Sequence, residues 1–109
     1  MPEISLTDTS GRPYNLSTTP SKPVTLLFFG YTHCPDVCIA VLSDVSLALQ
    51  RLSAADRDQI QFVFVTTDPA RDDAATLHDY VRRFDPTFEG ATGDLARIVE
   101  LGKAVGVPI

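Results

Sequence analysis

The stretch Val24-Thr25-Leu26-Leu27-Phe28-Phe29-Gly30-Tyr31-Thr32-His33-Cys34-Pro35-Asp36-Val37-Cys38 changes character in its middle. Through Tyr31 it is almost wholly apolar, follows the breakers Pro20 and Pro23, and is too short for an independent helix. Such a run predicts a central strand of a parallel sheet, covered on both faces. From Pro35 the period becomes helical. Val37, Val41, Val45, Ala48 and Leu52 share one face, and Pro35 suits the first helical position, where its missing N–H costs nothing. The expected helix runs to about Leu52.

Downstream, residues 53–58 read as a polar linker, and residues 60–67 as a second buried strand, rich in β-branched and aromatic side chains. Strand, helix, strand is a parallel crossover unit. Asp68-Pro69 makes a turn, with Arg71 and the neighbouring aspartates read as a solvated helix start. Leu77, Tyr80, Val81 and Phe84 then mark a second helix, with Asp72 and Asp73 at its start and Arg82 and Arg83 at its end, matching the helix dipole. Asp85-Pro86 closes it, residues 88–92 form a short strand, and Asp94 caps a third helix. That helix turns Leu95, Ile98, Gly102 and Val105 inward and stops at Gly106. Upstream, the alternation of residues 4–7, a Ser10-Gly11 turn, Tyr14 and Leu16 predict a hairpin laid across one end of the domain. The whole is an α/β sandwich over residues 1–109, one domain, with the cysteine loop leaving the C-terminal end of a central strand.

The composition narrows the function. With 44% apolar and 21% charged residues the chain can form an ordinary packed core. Nine Lys and Arg against fourteen Asp and Glu leave a net charge of −5, with no basic stripe for a nucleic-acid backbone. The longest apolar run, from Val24 to Phe29, is far short of the roughly 20 residues that span a bilayer. Two cysteines are too few for a disulfide-stapled secreted module, so they form a site or pack as small hydrophobes.

A helix starting at Pro35 makes Cys34 its N-cap and sets Cys38 one turn later on the same face, so the two sulfurs can converge. The free N–H groups and positive dipole of a helix start favour thiolate, which makes Cys34 the more reactive of the pair, and a protonated His33 acts in the same sense. Two thiolates can close a disulfide or clamp a soft metal. A structural zinc site needs four protein ligands, whereas copper is content with two or three. His78 falls at the edge of an exposed helical face and reads as a solvated histidine rather than a ligand. No Ser-His-Asp set or phosphate loop is present, and Thr32 alone does not make the Arg and Thr surroundings of a peroxidatic thiol.

Residues Phe29-Gly30-Tyr31-Thr32-His33-Cys34-Pro35-Asp36-Val37-Cys38 resemble the signature of the Sco/SenC family. Asp68-Pro69-Ala70-Arg71-Asp72, Phe84-Asp85-Pro86, Thr92-Gly93 and Ala104-Val105-Gly106-Val107 follow in the order of that family's landmarks. The resemblance implies a thioredoxin-like fold. It also implies an extracytoplasmic, membrane-anchored, monomeric copper metallochaperone that receives copper from other copper chaperones and serves the copper-site subunit of cytochrome c oxidase. Cys34 and Cys38 inherit the roles of copper ligands and of a thiol–disulfide pair. The family's third ligand, a histidine, is expected beyond Ile109, together with further strands and a helix; neither His33 nor His78 matches it. Two departures are milder: Ile39 stands where proline is common, and Thr67 where an aliphatic residue is usual. The rival reading is a thiol–disulfide oxidoreductase without stable metal, although familiar dithiol oxidoreductases use a two-residue spacer.

Overall fold

The structure is a computed structural model that describes residues 5–9, 11–15, 22–32 and 37–107, with Ser5, Val37 and Cys38 described by their backbone alone. Two apolar runs form its parallel pair: β3 (Val24–Gly30) and β4 (Ile60–Thr66) align residue for residue, from Val24 opposite Ile60 to Gly30 opposite Thr66. The sheet continues through β5 (Glu89–Thr92), parallel to β4, then β1 (Ser5–Asp8) and β2 (Pro13–Asn15), both antiparallel, in the order β2-β1-β5-β4-β3.

This order corrects two expectations. The strand buried along most of its length is β4, interior between β5 and β3 and enclosed from Phe62 to Thr66, while β3 stands at the margin of the described sheet with Val24 43% and Leu26 38% exposed. The two runs are about equally apolar, and only pairing partners distinguish them. The hairpin does not lie across one end: β1 joins β5 edge to edge and extends the sheet, with Gly11 turning the chain at φ +83° and the Asp8 carboxylate accepting the Arg12 N–H. Ile4, Ser10 and Leu16 lie outside the described residues.

Alternation along β4 sorts the core into two layers, because successive side chains point to opposite faces. Val63 and Val65 meet Ile98 and Leu101 of α4 (Leu95–Ala104), with Leu6, Tyr14 and Ala91. Phe62 and Phe64 meet Leu42 and Leu49 of α1 (Val37–Gln50) and Leu77, Tyr80 and Val81 of α3 (Ala74–Arg82). The inward face of α1 is turned one residue from the expected one. Leu42, Ser46 and Leu49 are buried and Val45 partly so, whereas Ala48 is exposed and Leu52 lies past the helix end. The longer leucines fill the space against the aromatic rows of β4, which valine and alanine would leave underfilled.

The helix ends follow local chemistry. The expected linker folds into a single-turn helix, α2 (Ala54–Arg57), capped by Ser53, whose side chain accepts the Asp56 N–H. Asp73 caps α3 by accepting the Thr76 N–H at 2.8 Å. Asp94 occupies the N-cap of α4 without a side-chain bond, and Leu95 there is 51% exposed rather than inward. Gly106, at φ +82°, ends α4 with the paired bonds Val107 N–H to Gly102 O and Gly106 N–H to Lys103 O, a Schellman closure.

Helix α3 sits so close to β5 that a Cβ on Gly90 would lie 2.7 Å from Leu77 Cγ and 2.8 Å from Thr9 Cγ2. Leu77 is fully buried and cannot retreat cheaply. Gly90→Ala is therefore expected to cost about 1–3 kcal/mol, the usual penalty of overpacking; urea denaturation beside wild type measures it, and an unchanged midpoint would mean that α3 shifts freely.

Candidate functional site

Parallel pairing brings the C-terminal ends of β3 and β4 side by side, Gly30 opposite Thr66, so the loops leaving both strands emerge together. The carboxyl ends of parallel strands are the usual ligand position in open α/β sheets. The loop after β3 carries His33, Cys34, Pro35 and Asp36, which lie outside the described residues, as does the expected N-cap role of Cys34. Cys38 is the second described residue of α1, in the turn where backbone N–H groups lack helical acceptors and the dipole is positive.

The loop after β4 braces this end of the sheet. Thr67 donates both its N–H (2.7 Å) and its hydroxyl (3.3 Å) to the Gly30 carbonyl, a use for the hydroxyl that an aliphatic residue would lack. Asp68 and Pro69 make the expected turn, with the Arg71 and Asp72 N–H groups donating to the Asp68 carbonyl. Arg71 is exposed and lies 3.6 Å from the Asp68 carboxylate.

Asp72 departs from its expected role. It is fully buried rather than solvated, and its carboxylate accepts the Thr32 N–H (2.9 Å), the Thr32 hydroxyl (2.5 Å) and the Thr66 hydroxyl (2.8 Å). Sequence reasoning missed it because two adjacent aspartates before a helix both look like capping residues. The nearest signal was its place in the Asp68-to-Asp72 landmark.

His78 is not simply solvated. It is half-buried, with Nδ1 3.3 Å from the Thr9 hydroxyl, which itself donates to Glu89 Oε1 at 2.7 Å. Thr9 follows β1, Glu89 opens β5 and His78 lies on α3. A groove of about 350 Å³ lies between the hairpin and the start of α4, lined by Leu6, Pro13, Asp94 and Arg97 among others. Among the described residues no three His, Cys, Asp or Glu side chains form a metal-holding group, and no helix is long and apolar enough to cross a membrane.

Comparison with known proteins adds the family. The SCO1/SenC profile matches residues 1–108. The chain belongs to the SCO1/SenC family. It is 36% identical over 108 residues to a protein of Stutzerimonas stutzeri whose name proposes that it binds copper; the match covers 99% of this chain and 52% of that protein. Among solved structures, Bradyrhizobium japonicum ScoI with copper bound superposes with a TM-score of 0.81 at 41% identity, over 92% of this chain and 62% of that one. Yeast Sco1 with copper bound gives 0.82 at 32% identity, over 92% and 55%. The chain thus spans about half the length of the Stutzerimonas relative and has the fold of the Sco proteins, a five-stranded sheet between helices.

Proposed function

We propose that this Sco-family chain carries copper on Cys34 and Cys38 for delivery to the binuclear copper site of cytochrome c oxidase. The observation that carries the reading is the shared fold with two copper-bound relatives, over 92% of the chain at 41% and 32% identity. The donor set agrees. Two thiolates are soft ligands suited to monovalent copper, and the first turn of α1, where Cys38 stands, favours the thiolate over the thiol. In this reading copper is cargo, the third ligand is a histidine beyond Ile109, and the protein works anchored on the extracytoplasmic side of a membrane. Its partners there are the oxidase copper-site subunit and the copper chaperones that load it.

The same electrostatics supports a second reading, thiol–disulfide exchange. The Cys34 thiolate attacks a disulfide of the acceptor, breaking its S–S bond and releasing one acceptor sulfur as thiolate. Cys38 then attacks the mixed disulfide, so this chain ends as the Cys34–Cys38 disulfide and the acceptor as a dithiol, two electrons having passed.

The deciding experiment is a chelator-competed Cu(I) titration of the fully reduced protein without oxygen, with Cys34→Ser and Cys38→Ser beside it. Wild type is expected to bind one equivalent, and each variant to lose more affinity than the roughly 10- to 100-fold that follows loss of an outer-shell partner. Wild type binding no better than either variant, both in this chain and in one extended past Ile109 to supply the histidine, would reject copper carriage and put thiol–disulfide exchange first.

A further inference from the structure

We propose that Asp72 is a positioning residue for the cysteine segment, acting through Thr32; this rests on the reading of Cys34 and Cys38 as the working site. A buried carboxylate gives up its hydration and must recover it through hydrogen bonds, which in turn fix the groups that donate them. Asp72 is fully buried, yet α3 does not need it, because Asp73 already caps that helix. Its described bonds run instead to the ends of both parallel strands. One oxygen takes the Thr32 N–H and the Thr66 hydroxyl, and the other takes the Thr32 hydroxyl. The Thr66 hydroxyl accepts the Asp68 N–H in turn, so the clamp is tied to the β4 turn as well.

Thr32 stands two residues before Cys34, and the covalent chain allows no more than about 7 Å between their Cα atoms. On the other side the segment runs into α1, which is held by buried Leu42 and Leu49 and by the Ser46 hydroxyl donating to the Phe84 carbonyl at 2.7 Å. Both ends of the cysteine segment are therefore anchored, one by packing and one by Asp72. A clamp so placed acts on the geometry of the Cys34 sulfur relative to Cys38, and so on metal affinity and on the dithiol–disulfide balance together.

The test compares Thr32→Val, which removes one hydroxyl bond and keeps the backbone one, with Thr32→Ser, which restores the donor, and with Asp72→Asn. Three readouts are taken on each: Cu(I) affinity by chelator competition, the dithiol–disulfide equilibrium against glutathione, and the thermal midpoint. Thr32→Val and Asp72→Asn are expected to weaken Cu(I) binding and displace the thiol equilibrium by about tenfold or more, as loss of outer-shell partners does, with Thr32→Ser restoring both. A folded Thr32→Val whose two site readouts equal wild type overturns the proposal, as does a Thr32→Ser as impaired as Thr32→Val. Should Asp72→Asn fail to fold, the Thr32 pair decides alone. If neither wild type nor the chain extended past Ile109 binds Cu(I), copper carriage fails, whereas the glutathione equilibrium still judges the clamp.

Discussion

Phe64→Ala should lower the stability of this chain by about 3–5 kcal/mol, the usual cost of removing a buried aromatic ring. Phe64 is fully buried near the middle of the interior strand β4, edge-on to Phe28 at 5.7 Å and tilted against Tyr80 at the same centroid distance. It joins β3, β4 and α3 in one cluster, so no single neighbour can fill the space that it leaves. A domain of this size is stable by only about 5–15 kcal/mol, so the variant should be substantially unfolded or close to it. Urea denaturation followed by far-ultraviolet circular dichroism measures the loss. Val24→Thr, at the exposed margin of β3, should stay within about 0.5 kcal/mol of wild type. Similar losses in the two variants would mean that β3 and β4 have exchanged roles in the sheet.

The second large effect is in acid. Burial alone would raise the Asp85 carboxyl, but the N–H and hydroxyl of Thr87, at 2.8 and 2.7 Å, and the Arg57 guanidinium at 2.5 Å reverse this and hold it below the usual carboxylate value. A group depressed in the folded state binds its proton more readily when unfolded. Its stabilisation is therefore complete above the ordinary value of 3.8 and is lost as pH falls through the lower, folded one. Wild type should weaken steeply below about pH 4. Asp85→Asn should cost about 1–3 kcal/mol at pH 7, by leaving charge-assisted bonds unmade, and its stability should fall less on acidification. Asp73, held low chiefly by the Thr76 N–H, titrates in the same sense, so the acid limb shrinks without vanishing. Denaturation midpoints at pH 7 and pH 3 for both proteins give the comparison; parallel lines would show that Asp85 contributes nothing to acid sensitivity.

Much of the fold was legible because its signals are local. The switch from an apolar run to a helical period between Tyr31 and Val37, the acidic start of α3 at Asp73, the turn at Asp68-Pro69 and the stop at Gly106 each depend on a few neighbouring residues, and each has its described counterpart. The candidate site stands differently: two cysteines after a strand, at the start of a helix, propose a thiol site by residue type and position, while the landmarks around them declared the family.

What the tertiary structure decided was everything that depends on a partner distant in the chain. Two apolar runs of one length became an interior strand and a marginal one only when β5 chose β4 as its neighbour. The inward face of α1 was set by the volume available against Phe62 and Phe64, which the valine spacing within the helix does not contain. Asp72 and Asp73 are adjacent and chemically identical. One caps α3 in solvent and the other is buried against Thr32, forty positions back, because successive residues before a helix point to different sides, and only assembly of β3 beside β4 puts a donor on one of them. Sequence alone thus determined most of the elements and the family, and named the two cysteines as the candidate site; which groups those elements enclose was decided by long-range packing, to which local periodicity carries no reference.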